Sequence, residues 1–152
     1  MTEAANRSLV RTWFDEVWNK GQEATIDRLL APSAVAYGLG DGNEEVRGPE
    51  EFKQFARNIR GSFSDFQITI EDILAEADKV MARIVLQGIH TGDKIGVPAT
   101  GRQVKVTGIV LVRIVNGQIA EAWNNWDQLG FMRQIGALPG AEVPDRLLKG
   151  RA

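Results

Sequence analysis

Residues 103–127 read QVKVTGIVLVRIVNGQIAEAWNNWD, two alternating apolar runs joined at Asn116-Gly117. Asn-Gly favours the positive φ values of a two-residue type I′ turn, so the stretch reads as a β-hairpin whose register is set by the turn. Counting outward, Val115 pairs with Gln118 and Ile114 with Ile119. Continued without interruption, the count sets Val112 opposite Glu121, Val110 opposite Trp123, Gly108 opposite Asn125 and Val106 opposite Asp127. Opposed residues share a face. One face then carries Val104, Val106, Val110, Val112 and Ile114, an aliphatic core surface, with Trp123, Asn125 and Asp127 at its end. An acid and an amide beside a bulk-free Gly108 predict a polar-tipped cavity. The other face carries Thr107, Ile109, Leu111, Arg113, Ala122, Asn124 and Trp126. It is too apolar for open solvent and too polar for a core, and reads as a homodimer interface on the outer side of the sheet.

The rest of the chain supplies layers for that hairpin to pack against. Leu9, Val10, Trp13, Phe14, Val17 and Trp18 form one apolar stripe at helical spacing between residues 4 and 19, stopped by Gly21. A short second helix covers 23–30 and ends at Ala31-Pro32. A short strand, 33–37, and a glycine-rich acidic loop, 38–47, follow; the loop reads as a solvated lid. Pro49 at a first helical turn rich in acid starts a third helix that presents Phe52, Phe55, Ala56 and Ile59. Strands are expected over 66–75 and 80–90, then a hairpin loop from Thr91 to Gly101, the Asn-Gly hairpin, and one or two helical turns over 128–135. Helices first and antiparallel strands after predict an α+β fold: a curved antiparallel sheet wrapped over three N-terminal helices as a cone-shaped barrel, with a ligand-sized hollow between the layers. The expected organisation is one domain, residues 1–140, with a C-terminal tail at 141–152.

Composition narrows the function classes. A chain of 152 residues with net charge −2 has no electrostatic commitment to nucleic acid or anionic membrane. No cysteine and one histidine leave no thiolate or multi-histidine metal site within the chain. No apolar run is long enough to span a bilayer, and a cytoplasmic protein is the expectation.

The segments GIHTG at 88–92, GVPATG at 96–101, NGQIAEAW at 116–123, DQLG at 127–130 and RQIG at 133–136, with FDEVWNKG at 14–21 and GPEEF at 48–52, resemble the SnoaL-like polyketide cyclase family. That family belongs to the nuclear transport factor 2-like superfamily, with ketosteroid isomerases and limonene-type epoxide hydrolases. The resemblance spans about residues 6–136. It implies a cofactor-free intramolecular aldol ring closure in which an aspartate near the end of the last strand acts as acid and base, and Asp127 occupies that position. Where many relatives carry histidines, this chain has Ala122 and Tyr37, which makes a proton relay poorer.

Each candidate residue has a structural role beside its functional one. Asp127 reads as a base desolvated by an apolar cavity or as the N-cap of the following helix, or both. His90, ending a strand on the core face, donates to a substrate carbonyl or fixes the 91–101 loop. Tyr37 and Asn125 orient a substrate oxygen or bond each other. Trp13, Phe14, Trp18, Phe55, Ile59, Trp123 and Met132 form the apolar wall, shared between core and pocket. Glu121 is expected to pair with an arginine. The expected function is acid/base chemistry, aldol-type cyclisation or isomerisation, on a small apolar carbonyl compound, without cofactor or metal. The alternatives are a non-catalytic binder of a hydrophobic ligand and, lower, a limonene-type epoxide hydrolase. The epoxide chemistry needs a second acid and an arginine on the core face, whereas Arg83 and Arg113 point to the other face by parity.

Overall fold

The computed structural model describes residues 2–39 and 45–137. The expected acidic lid (in its part 40–44) and the tail at 141–152 lie outside the described residues. Helix α1 (Glu3–Thr12) begins at Thr2, whose hydroxyl accepts from Ala5 N at 3.0 Å, and it continues without a break as a π-helical segment, Trp13–Asn19. Next come α2 (Glu23–Leu29), β1 (Leu30–Tyr37), β2 (Glu45–Arg47), α3 (Gly48–Gly61), β3 (Phe63–Glu76), β4 (Lys79–His90), β5 (Gln103–Val115), β6 (Gln118–Trp126) and α4 (Gln128–Gln134). The α+β class is as expected. The strands form one sheet in the order β2-β1-β6-β5-β4-β3, antiparallel except where β1 runs parallel to β6. Strand β2 falls in a stretch read as loop, because its glycine-rich acidic surroundings carry no alternation and pairing with β1 alone holds it.

The π-helical segment and α3 lock onto each other through edge-to-face aromatic contacts. Trp13 and Phe52 rings lie 5.0 Å apart, and Trp18 meets Phe52 at 5.8 Å and Phe55 at 6.0 Å. From the strands, Val80, Ala82 and Ile84 of β4 and Val104, Val106, Val110, Val112 and Ile114 of β5 complete the core. At the open edge of the sheet, Asn19 binds β3 as another strand would. Its amide accepts from Ile68 N at 2.7 Å and donates to Ile68 O at 2.9 Å.

The hairpin turn is as read: Asn116 and Gly117 have φ of 51° and 75°, and the pairs Val115–Gln118 and Ile114–Ile119 follow. The next pair is Arg113–Glu121, so Ala120 is a β-bulge. Because strand side chains alternate between faces, one surplus residue inverts everything beyond it. Ala122, Asn124 and Trp126 therefore share the inner face with Val112, Val110 and Gly108, while Trp123 and Asn125 share the outer face with Leu111 and Ile109. This corrects the uninterrupted count for both faces. Glu121 does pair with an arginine, Arg113 at 2.8 Å, but on the outer face.

Two predictions follow from these contacts. Asn19→Ala strands both backbone groups of Ile68, and chemical denaturation should show a loss of about 1–3 kcal/mol, with Asn19→Asp, which keeps the acceptor, losing less. The second concerns acid. A hydrogen bond from Thr25 (2.6 Å), opposed by desolvation and helped by Arg28, holds the Glu16 carboxyl below its ordinary 4.5. A hydrogen bond from Arg57 (2.6 Å), helped by the same cation's charge, does so for Glu23. Groups lowered on folding stabilise above their unfolded value and lose that contribution as pH falls through the folded one. Melting temperature should therefore drop as pH falls below about 4.5, and Thr25→Val with Arg57→Gln should flatten that drop.

Candidate active site

Between the helices and the sheet lies a cavity of about 510 Å³. Trp18, at the end of the π-helical segment, and Phe55 and Ile59 of α3 form one side; Ile68, Leu86, Val106 and Trp126 of the sheet form the other. Phe131 and Met132 of α4 close one end, and Ile95 and Val97 reach over it from the β4–β5 loop. Among the described lining residues, Gln128 is the polar side chain and none is an acid or a base. A ligand held here meets hydrocarbon and aromatic surface and must itself be largely uncharged, since an unpaired ion is costly to desolvate.

Trp126 takes its place because of Gly108. The two are paired across β5 and β6, and a Cβ on Gly108 would stand 2.7 Å from the indole Cε3 and 2.9 Å from Cδ2. The indole thus lies flat on the strand. The small residue expected to open a cavity beside Asn125 instead seats a tryptophan.

Asp127 follows directly, between Trp126 and Gln128, both of which line the cavity. Its backbone N–H still donates to Thr107 O at 3.0 Å, continuing the hairpin for one more bond. Its carboxylate is exposed and caps α4, Oδ1 accepting from Gly130 N at 2.9 Å. The N-cap is therefore present, at the rim of the hollow rather than within it, and the burial expected from the uninterrupted register is absent.

His90 is fully buried. Nδ1 lies 3.0 Å from Thr100 Oγ1, its carbonyl accepts from Thr100 N and Gly101 N, and its N–H donates to Arg102 O. These bonds tie both ends of the β4–β5 loop together, the bland role weighed for this residue. Its ring packs against Phe63 and Phe131, centroids 5.9 and 6.3 Å away, and Nε2 has no hydrogen-bond partner among the described residues. His90 stands behind the aromatic wall, not on the cavity surface.

The other expected residues separate. Trp18, Phe55, Ile59 and Met132 line the cavity. Trp13 and Phe14 are core, bordering a smaller internal void. Tyr37 and Trp123 stack on the outer face with ring centroids 6.0 Å apart, and Asn125 is exposed there, so these three do not meet the ligand space. Trp126, Phe63 and Phe131 were missed. The bulge hid the first; Ile95 and Val97, apolar residues in a Gly- and Pro-rich loop, were a readable signal for the cover. On the epoxide-hydrolase alternative, Arg83 and Arg113 do lie on the outer face, paired with Asp72 and Glu121. Among the described residues, no helix is long and apolar enough to cross a membrane and no cluster of potential metal ligands occurs.

The chain is similar to proteins named as methyl ester cyclases. The aklanonic acid methyl ester cyclase DauD of Streptomyces sp. (strain C5) is 33% identical over 123 residues, covering 80% of this chain and 76% of that protein. The nogalonic acid methyl ester cyclase of Streptomyces nogalater is 29% identical over 126 residues, covering 78% and 89%. Among solved structures, a putative SnoaL-like polyketide cyclase from Jannaschia sp. CCS1 superposes with a TM-score of 0.81 at 27% identity, over 90% of this chain and 95% of that one. The SnoaL-like polyketide cyclase family model matches residues 8–135, and with that coverage, on this fold, the chain belongs to the SnoaL-like polyketide cyclase family.

Proposed function

We propose that the protein performs acid/base chemistry without a cofactor, an aldol-type ring closure or an isomerisation, on a neutral apolar carbonyl compound held in the 510 Å³ cavity, with Asp127 as acid and base. One juxtaposition carries the reading. A cavity with no ionised side chain among its described lining residues has a carboxylate attached between two of them. In the cyclisation, the carboxylate takes the proton next to a carbonyl, the resulting carbanion adds to a second carbonyl of the same molecule, and the new alkoxide takes the proton back. No electron acceptor is needed. The proton the carboxylate takes is on a C–H already acidified by flanking carbonyls. Gln128, on the same rim, is placed to orient a substrate oxygen. His90 is assigned to holding the loop, through which Ile95 and Val97 shape the cover.

One observation favours a second reading, a binder without turnover: Asp127 is exposed and already occupied as a cap. Epoxide hydrolysis is not favoured, because the described lining residues include neither the acids nor the arginine it needs. For the outer sheet face we propose a homodimer. Ile109 is 49% exposed beside the Tyr37–Trp123 stack and Leu111, an apolar strip flanked by the Arg83–Asp72 and Arg113–Glu121 pairs.

Asn is as good a cap as Asp, so Asp127→Asn separates the two roles. With aklanonic acid methyl ester, the compound named for the relatives, turnover should fall about 10²–10⁴-fold while the melting temperature is unchanged. Full turnover in that variant would remove Asp127 from the chemistry, and a wild type without turnover would leave the binder reading. Separately, sedimentation velocity should show a dimer that Ile109→Lys converts to monomer; a wild-type monomer would remove the interface.

A further inference from the structure

A second, smaller space lies deeper in the cone. It measures about 40 Å³, and Trp18, Leu39 and Trp126 border both it and the large cavity. The two spaces are thus neighbours across a wall of two indoles and a leucine. The remaining walls of the small space are apolar, among them Val10, Phe52 and Val110, with Asn124 as the polar exception. The Asn124 amide donates to Tyr37 O at 2.9 Å. A space of this lining does not favour water. Its size, against the roughly 30 Å³ that one water occupies in the liquid, suits one or two carbon atoms.

The local sequence explains why it is there. Ala36 and Ala122 are directly paired across β1 and β6, and both border the space. Larger residues at either position would fill it. Its partition is equally specific, since Trp126 lies where it does because Gly108 carries no side chain.

We propose that this space is a blind subsite for a short apolar branch, a methyl or ethyl group, on a ring-shaped carbonyl compound whose body occupies the large cavity. Trp126, seated on Gly108, borders both spaces, and the Ala36–Ala122 pair sets the branch length. The inference rests on the reading of the large cavity as the substrate site, and it names a feature of the substrate that the reading leaves open. Burying each CH₂ is worth roughly fourfold in affinity. A branch that fits therefore raises affinity about tenfold by the same scale, and one that does not fit raises it little.

The test uses anthraquinone, 2-methylanthraquinone, 2-ethylanthraquinone and 2-tert-butylanthraquinone, titrated against the full-length protein and followed by quenching of tryptophan fluorescence. The wild type should bind the ethyl compound about tenfold more tightly than the parent. Ala122→Val, a β-branched residue suited to a strand, should abolish that advantage and leave the parent's affinity unchanged. Val110→Ala, which enlarges the space, should shift the preference toward the tert-butyl compound, and it carries the test alone where Ala122→Val does not fold. Parent binding with no ethyl advantage, or an advantage that survives both variants, overturns the subsite and leaves the cavity reading standing. Failure of all four compounds to bind the wild type overturns both.

Discussion

Strand β6 carries one residue more than β5 between the pairs Ile114–Ile119 and Arg113–Glu121, and the inward-facing side chains of its distal half follow from that surplus. The opposite neighbour accommodates it at the same level. Strand β1 passes from Leu30, beside Ile119, to Val35, beside Glu121, leaving residues 31–34 out of the ladder. Pro32 lies in that stretch, where its missing N–H deprives no partner of a bond. The bulge turns Trp126 onto Gly108, sends Trp123 to stack on Tyr37 outside, and brings the chain off the sheet at Asp127. Without it the same residues would present an amide and an acid to the cavity and leave the partition on the surface.

The hollow persists because its walls are held by bonds and contacts that do not depend on a ligand. Trp18 is fixed by three aromatic neighbours, Phe52, Phe55 and Phe66, and its carbonyl accepts from Arg60 Nε at 2.9 Å. The π-helical coil that ends just beyond it widens the helix where it meets the cavity, a place where such coils are often found. On the other side the loop cover is tied down at both ends, by His90 and by Ser62, whose carbonyl accepts from Thr91 N and Gly92 N at 3.1 Å. Unfilled apolar space costs stability in proportion to its volume. A core that keeps such space, with small alanines where valines fit a strand as well, departs from the packing rule at the place proposed for a ligand.

Much of the architecture was legible because it is written locally. The helical stripes, Pro49 at the start of α3, the Asn-Gly turn and the alternation of β4 and β5 each act within a few residues, and each element is where those signals put it. The bulge is different. Beyond Ala120 the strand reads Glu-Ala-Trp-Asn-Asn-Trp, with a tryptophan at both parities, Trp123 and Trp126. Apolar alternation is therefore silent on which face turns inward, and the pairing with β1 and β5 decides it. The candidate site inherited that ambiguity. The wall from α3 and α4 was readable, as Phe55, Ile59 and Met132, but the partition and the true surroundings of Asp127 were not. His90 was readable for a chemical reason: a lone imidazole beside a loop of glycines finds its nearest partner in that loop.

Capping a helix and moving a proton make compatible demands on one carboxylate. The bond from Gly130 N holds Asp127 in one orientation against α4, the same short helix that supplies Phe131 and Met132 to the cavity. Fixing the carboxylate relative to those side chains fixes it relative to whatever they hold, and a base that need not be ordered at the moment of reaction saves entropy in the barrier. Exposure is a property of the unliganded rim. In the proposed reaction, a ring system seated against Trp126 and Phe131 covers that rim and displaces its water. In the proposed reaction the cap therefore supplies position, and the ligand supplies the exclusion of water that the hairpin by itself does not.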